Sequence, residues 1–211
     1  MVKTNQSGCP SAAELELISW PQLFYFQRAL AAAKMVEDLV SGIDVNMGCP
    51  KAYSIKGGMG AALLTQEEKV KDILSTLVQG LTIPVTCKIR LLGSDRNPDM
   101  EQTKKFVRAC CGTGIAGITV HGRTREERPR HPCHDDGIAA LKEIAEEYGI
   151  PLVANGGSNV IKKREDVETF RLATNADSVM LARAAMWDLS IFRREVIVKF
   201  IENAGNHRQH S

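Results

Sequence analysis

One thiol in this sequence stands out because of its surroundings. Cys49 lies between Gly48 and Pro50 and is followed by the glycine-rich run at 57–60. An unperturbed thiol has a pKa of about 8.5, so it is mostly protonated at neutral pH and can act as a general acid. A free cysteine is more often a small buried apolar residue, and the residues alone leave that interpretation open. The setting makes Cys49 the first candidate for chemistry.

Other polar residues occupy the same kind of position, at or just beyond the ends of predicted strands. They are Asn46, Lys88, Arg90, His121, Arg123, Asn155, Gly156, Gly157 and Arg183. In a parallel barrel of strands and helices, strand ends of this kind face one rim, which holds the active site. Lys88 is the most informative of them, because a lysine inside the apolar run VTCKI is costly unless its amine reaches a partner or water.

The last two of these strand ends are compatible with an anion site. Asn155, Gly156 and Gly157 offer backbone N–H groups, while Arg183 and a helix predicted from Ala184 offer a charge and a dipole end. Barrels often bind phosphate with the loops after their final two strands. Two ordinary tight turns with a solvated Arg183 are the alternative.

The elements that would position these residues alternate along the chain. Period-two patterning predicts a strand over 43–47. Short runs that we expect to be apolar on both faces predict strands over 84–90, 117–121, 150–154 and 178–181, with one more suggested within 14–26. Helical spacing predicts helices over 28–41, 65–80, 97–111, 137–148 and 165–173, and again from Ala184. Thr65 and Asn97 are the predicted N-caps of two of these helices, with Pro98 in the first turn of the second. The alternation predicts an α/β fold with a parallel sheet, either a (β/α)8 barrel or an open doubly wound sheet.

Length and composition exclude several classes of protein. With 211 residues, of which 44% are hydrophobic, the chain can bury one substantial core. A formal charge of +2 neither demands nor excludes a nucleic-acid partner. Six cysteines without a secretory leader argue against a disulfide scaffold, and no apolar stretch approaches the roughly 18 residues of a membrane span. We expect a soluble protein of a reducing compartment.

Two motifs around Cys49 point to a known family. The runs DVNMGCPK and GGMGAALL resemble the signature of the tRNA-dihydrouridine synthases, most closely the eukaryotic type that acts on the D-loop. The likeness covers residues 28–192, leaving a divergent segment at 1–27 and a tail at 193–211. It implies a TIM barrel that uses FMN and NADPH to reduce a tRNA uridine to 5,6-dihydrouridine, in the cytoplasm or the nucleus. It also implies that the early strands of the barrel are missing, which predicts a less stable protein or one that needs a partner.

The resemblance also assigns roles to individual residues. Cys49 would protonate C5 of uracil once a hydride has reached C6, and Asn46 would hold the uracil edge. Lys88 would lie near the N1 and C2 carbonyl region of the flavin, and His121 against the cofactor or the substrate. The FMN phosphate would be held where this sequence reads ANGG and ARAAM, by Asn155, Gly156, Gly157, Ala182 and Arg183.

The charged segment HGRTREERPRHPCH, at 121–134, is the remaining feature. A loop of this kind is usually only solvated surface, but Arg123, Arg125 and Arg128 could bind tRNA phosphates, whose contacts are largely electrostatic. The target uridine would then have to leave its stack to reach a flavin. A zinc site from His131, Cys133 and His134 is not expected, because no second ligand pair has the usual spacing.

Two other functions stay open at the level of the sequence. One is a different FMN barrel oxidoreductase, acting on a small pyrimidine or an enone, which would need the same residue chemistry. The other is a catalytically silent fragment that only binds RNA or a protein, as the missing strands suggest. Bound flavin would separate an enzyme from the silent fragment. The sequence gives no indication of the oligomeric state.

Overall fold

The structure of the chain, a computed structural model, describes residues 25–94 and 96–192. Five strands form one parallel sheet, in the spatial order β1 (Ile43–Asn46), β2 (Val85–Arg90), β5 (Gly117–His121), β6 (Leu152–Asn155) and β7 (Ser178–Met180). A short antiparallel ribbon of β3 (Gly93–Ser94) and β4 (Asn97–Pro98) lies between β2 and β5 in the chain. The consecutive order of the parallel strands is that of a barrel wall.

Helices connect these strands in the described part of the chain. They are α1 (Tyr25–Lys34), α2 (Ala52–Lys56), α3 (Glu67–Gly80), α4 (Met100–Cys111), α5 (Asp135–Glu147), α6 (Arg164–Ala173) and α7 (Arg183–Trp187). Short stretches of 3-10 helix occur at Glu37–Leu39, Gly60–Thr65, Gly157–Asn159 and Leu189–Phe192.

The inner strands of the sheet are apolar on one face and more polar on the other, because successive side chains of a strand point to opposite faces. The apolar set is at most 2% exposed and belongs to the hydrophobic core, and it comprises Val85, Cys87, Ile89, Ile118, Val120, Leu152 and Ala154. The alternate residues include Thr86 and Lys88 of β2, which are half-buried, and in the edge strand β1 Asp44 and Asn46 are exposed, so the expectation of strands apolar on both faces is wrong. A doubly wound sheet carries helices on both faces. The one-sided core therefore favours a barrel wall, and the predicted α/β fold with a parallel sheet is confirmed.

Two predicted helix starts are wrong. Asn97 and Pro98 form β4, and the following helix begins at Met100 with Asp99 as its N-cap, whose side chain accepts a hydrogen bond from the Gln102 N–H. Aspartate is as good a cap as asparagine, so the sequence pattern did not distinguish the two positions. Thr65 likewise ends a 3-10 turn and does not cap α3, which begins at Glu67.

Three other segments differ from the prediction or fall outside the description. The helix predicted over 28–41 ends at Lys34, and only a 3-10 turn follows it. The glycine-rich loop contains the short helix α2, which the sequence pattern did not indicate. The strand suggested within 14–26 falls mainly on residues outside the described ranges, and its last two residues begin α1.

Candidate active site

The register of the sheet brings the strand-end residues together in two adjacent rows. Asn46 is paired with Lys88 in one row, while Arg90, His121 and Asn155 are paired across the next. All of them alternate with core residues, so their side chains lie on the face of the sheet opposite the helices. The structure thus places residues from four separate strands at a common carboxyl edge.

Hydrogen bonds and close packing fix the backbone around Cys49. The side-chain oxygen of Asn46 accepts hydrogen bonds from the N–H groups of Gly48 at 3.0 Å and of Cys49 at 3.1 Å. On the other side, the Cys49 carbonyl accepts from the Ala61 N–H at 2.9 Å. Gly60 has a φ of +57°, and a Cβ there would come within 2.6 Å of the same carbonyl oxygen. The loop is therefore built around one fixed position of Cys49.

The Cys49 thiol has its own hydrogen-bond partner. The hydroxyl of Ser54, a buried residue of α2, lies 3.3 Å from the sulfur. This contact is the largest cause that lowers the pKa of the Cys49 thiol, and the backbone N–H of Lys51 adds to it, while slight burial opposes it. Groups that stabilise a thiolate make the thiol a stronger acid. Cys49 is half-buried, unlike the core cysteines Cys87, Cys110 and Cys111.

Lys88 is half-buried in the middle of the sheet. Burial is the main cause that lowers the pKa of its amine to about 8; repulsion by Arg90 acts in the same direction, and attraction by Asp44 opposes both. None of these influences is a hydrogen bond. A cation that has lost water without gaining a protein acceptor is well suited to meet an electron-rich or anionic group of a ligand.

Arg90 ties the Cys49 loop to the next loops of the sheet edge. Its guanidinium is buried and donates to the carbonyl of Gly48 at 2.9 Å through Nε and to that of Thr124 at 2.8 Å through Nη1. The sequence pattern placed Arg90 among the strand-end residues but gave no sign of this bridging role. The role depends on two hydrogen bonds to loop carbonyls, which only the structure reveals.

Arg123 is turned inward, away from solvent. Its side chain is 1% exposed and donates to the His131 carbonyl at 3.0 and 2.8 Å and to the Gly156 carbonyl at 2.7 Å. The same guanidinium lies 3.1 Å from Nε2 of His121. The predicted contact between Arg123 and a tRNA phosphate does not agree with this geometry, because its donors are already used inside the protein.

A cavity of about 110 Å³ lies where the phosphate site is predicted. Its lining includes six predicted cofactor residues, namely His121, Asn155, Gly156, Gly157, Ala182 and Arg183. The side-chain amide of Asn155 donates to the Met180 carbonyl at 2.8 Å and so joins the ends of β6 and β7 beside the cavity. Gly156 has a φ of +126°, and a Cβ there would lie 2.7 Å from the Cys133 sulfur. The predicted helix begins at Arg183 but has only five residues, so its dipole adds little.

The charged segment 121–134 is a folded loop. The buried carboxylate of Glu127 accepts from the Thr124 N–H at 2.7 Å and pairs with His134 at 3.0 Å. Arg128 donates to three carbonyls of its own loop, and Nε of Arg125 pairs with Glu126 at 3.1 Å. Both Arg125 and Arg128 nevertheless remain exposed.

The residues considered for zinc are engaged elsewhere. Nδ1 of His131 accepts from the Arg128 N–H at 2.8 Å, His134 pairs with Glu127, and burial raises the pKa of the Cys133 thiol to about 12. Over residues 25–94 and 96–192, no three His, Cys, Asp or Glu side chains are grouped to hold a metal ion. Within the same ranges, no helix has both the length and the apolar character that a membrane crossing requires.

Comparison with known proteins identifies the family. The model of the family described as "Dihydrouridine synthase (Dus)" matches residues 22–207. The chain belongs to the dihydrouridine synthase family, whose fold is the TIM barrel, and the sheet described above is part of such a barrel. The predicted family likeness is confirmed, and membership disfavours the alternative of a different flavin barrel oxidoreductase.

Curated relatives support the same family. The tRNA-dihydrouridine(20) synthase [NAD(P)+] of Schizosaccharomyces pombe is 35% identical over 79% of this chain and 34% of its own length. The human tRNA-dihydrouridine(20a/20b) synthase [NAD(P)+]-like protein is 34% identical over 90% of this chain and 55% of its own length. The chain therefore spans about a third to a half of these relatives.

Solved structures share the fold at low sequence identity. A phosphonopyruvate hydrolase has a TM-score of 0.53 and 14% identity, covering 82% of this chain and 60% of that one. A putative dihydrodipicolinate synthase family protein from Coccidioides immitis has a TM-score of 0.52 and 12% identity, covering 83% of this chain and 51% of that one. These similarities concern the fold alone.

Proposed function

We propose that this chain carries the flavin site and the general acid of an FMN-dependent tRNA-dihydrouridine synthase. The reaction is the reduction of a D-loop uridine to 5,6-dihydrouridine with NADPH, in the cytoplasm or the nucleus. One observation supports this most strongly: six residues predicted to hold the cofactor line a single cavity. The names of the relatives, which specify positions 20, 20a and 20b of tRNA, support the substrate.

The residues present fit FMN. The cavity at the Gly156 turn combines the backbone N–H groups of Gly156 and Gly157 with the guanidinium of Arg183, and these are donors suited to a phosphate. Lys88 would stabilise the electron-rich part of the flavin ring, because its amine is dehydrated and its pKa lies near 8. When bound and reduced, FMN supplies a hydride to C6 of uracil.

Cys49 then donates a proton to C5 of the substrate. The Ser54 hydroxyl and the Lys51 N–H, which lower the thiol pKa, would stabilise the thiolate that remains. Asn46 holds the Cys49 backbone through its oxygen, which leaves its side-chain nitrogen for the uracil edge. Arg125 and Arg128 are the exposed arginines assigned to tRNA phosphates, and Arg123 is withdrawn from that role.

Substitution of the thiol tests the proposal. The purified chain is reconstituted with FMN and assayed for flavin absorbance, NADPH oxidation and dihydrouridine in tRNA. Cys49→Ala is expected to retain flavin and NADPH oxidation and to lose dihydrouridine formation, because only the proton to C5 is missing. Met59→Ala, an exposed change in the same loop, is the control and should behave as the unmodified chain. Normal dihydrouridine formation by Cys49→Ala would remove the assigned acid.

A second candidate function is a silent fragment that binds RNA or a protein. One observation favours it: among the described residues β1 pairs only with β2, and Asp44 and Asn46 on its polar face are exposed. A colourless chain that cannot be reconstituted with FMN but still binds tRNA or a protein would support this candidate over the enzyme.

A further inference from the structure

The contact between Arg123 and His121 determines where the proton of the imidazole lies. A guanidinium carries five N–H donors and no acceptor. Nη1 of Arg123 lies 3.1 Å from Nε2 of His121, so Nε2 must be the acceptor in this contact. A neutral imidazole with a lone pair on Nε2 carries its proton on Nδ1.

The surroundings keep the ring neutral. His121 is half-buried, and the charged groups that act on it are Arg90 and Lys88 from β2 and Arg123 from its own loop. All three are cations, and together with burial they lower the pKa of His121 to about 2. Protonation of Nε2 would also place an N–H against the Arg123 guanidinium, which offers no acceptor.

Arg123 also orients the adjacent turn. Its Nη1 donates to the Gly156 carbonyl at 2.7 Å. In a trans peptide the C=O and the following N–H point in opposite directions, so the Gly157 N–H is directed away from Arg123. Both glycines line the same cavity as His121.

We propose that Arg123 is a positioning residue that locks His121 as the neutral Nδ1–H tautomer and fixes the Gly156–Gly157 peptide. His121, which lines the cavity, then keeps a fixed donor at Nδ1 and takes no part in proton transfer. The identity of that occupant, an FMN phosphate or another anion, rests on the proposed function. The tautomer does not, because it follows from protein contacts alone.

The decisive measurement uses the unmodified, flavin-free chain. Long-range ¹H–¹⁵N correlation spectra of ¹⁵N-histidine protein distinguish a protonated ring nitrogen from a bare one, and His121→Gln identifies the signal. We expect a protonated Nδ1 and a bare Nε2, unchanged between about pH 5 and 8. A proton on Nε2, or titration of His121 within that range, would overturn the proposal whether or not the chain binds FMN.

A matched pair of variants tests the action of Arg123. Arg123→Lys keeps the charge but loses the planar guanidinium and its paired donors, whereas Arg130→Lys changes an exposed arginine of the same loop. Arg123→Lys should release the His121 tautomer and weaken FMN binding about tenfold, the loss of one charge-assisted hydrogen bond, while Arg130→Lys changes neither. An unaltered tautomer in folded Arg123→Lys would contradict the positioning role. Should that variant not fold, the spectrum of the unmodified chain decides alone.

Discussion

The carboxyl edge of the sheet has two halves that are built differently. The inner rim, formed by residues 121–134 and 155–161, is interlocked by buried charged groups: Arg123 is 1% exposed and Glu127 is 3% exposed. The edge rim, formed by residues 46–60, follows β1, whose residues alternate between half-buried and exposed. The inner rim is fixed by contacts among the described residues. The edge rim is open on the side where, among these residues, β1 has no neighbour.

This difference follows the proposed division of chemistry. The inner rim contains the cavity assigned to a phosphate, and the edge rim contains the assigned proton donor, Cys49. Arg90 bridges them, from the carbonyl of Gly48 to that of Thr124. We expect cofactor phosphate binding to depend on packing within the inner rim, and the acid to depend on a few local hydrogen bonds. The following changes test that contrast.

The largest effect is expected from a methyl group at the inner rim. Gly156→Ala forces an L-residue to a φ of +126° and places its Cβ 2.7 Å from the Cys133 sulfur, so we expect a loss of unfolding free energy of roughly 2–4 kcal/mol. Gly58→Ala is the matched change at the edge rim, where φ is +67° and the nearest atom is Nζ of Lys69 at 3.8 Å. Gly58→Ala should lower the unfolding free energy by only about 1 kcal/mol.

Urea unfolding followed by circular dichroism measures both losses. Equal losses for Gly156→Ala and Gly58→Ala would mean that the two rims are packed alike, and the contrast between them would disappear.

A gain in stability is expected where the two rims meet. Lys88→Met removes a half-buried cation whose pKa has fallen from 10.5 to about 8. The change should raise the unfolding free energy by about 1–3 kcal/mol while weakening FMN binding. Between those two pH values the unfolded chain binds more protons than the native one, so the stability of the unmodified chain rises with pH through this window. The increase should be absent in Lys88→Met.

Lys105→Met, in which the replaced side chain is 76% exposed, is the control for charge removal and should leave both stability and its pH dependence nearly unchanged. Loss of stability in Lys88→Met would show that the amine has a favourable partner in the native state.

The sequence predicted which residues form the inner rim better than it predicted the hydrogen bonds among them. Short apolar runs located all five strands of the parallel sheet, because strands covered by helices are rich in apolar residues. The residues that line the cavity followed from the rule that parallel strands end at one edge. Arg123 was misjudged, because a charged residue in a charged loop looks solvated until the surrounding carbonyls are known.

Outside the inner rim, the sequence did not predict one helix start, one short helix and one side-chain contact. Asn97 and Asp99 are both good caps, and only the pairing of β3 with β4 decides between them. The short helix α2 has no apolar period of its own, and it is held by the tight turn of the glycine-rich loop. Ser54 could not be recognised as a partner of Cys49, because its hydroxyl reaches the sulfur from the short helix α2, which the sequence pattern did not indicate.

The smallest and most local effect is expected at the edge rim. Ser54→Ala removes the hydroxyl that contributes most to lowering the pKa of Cys49, so that pKa should rise and less thiolate should be present at neutral pH. Alkylation of Cys49 by iodoacetamide, followed peptide by peptide, should slow about 2- to 10-fold at neutral pH, which corresponds to one hydrogen bond. Ser41→Ala, at an exposed position before β1, should have no effect. An unchanged alkylation rate in Ser54→Ala would mean that the Ser54 hydroxyl does not lower the pKa of Cys49. The local hydrogen bonds of the edge rim would then not account for the acidity of the thiol.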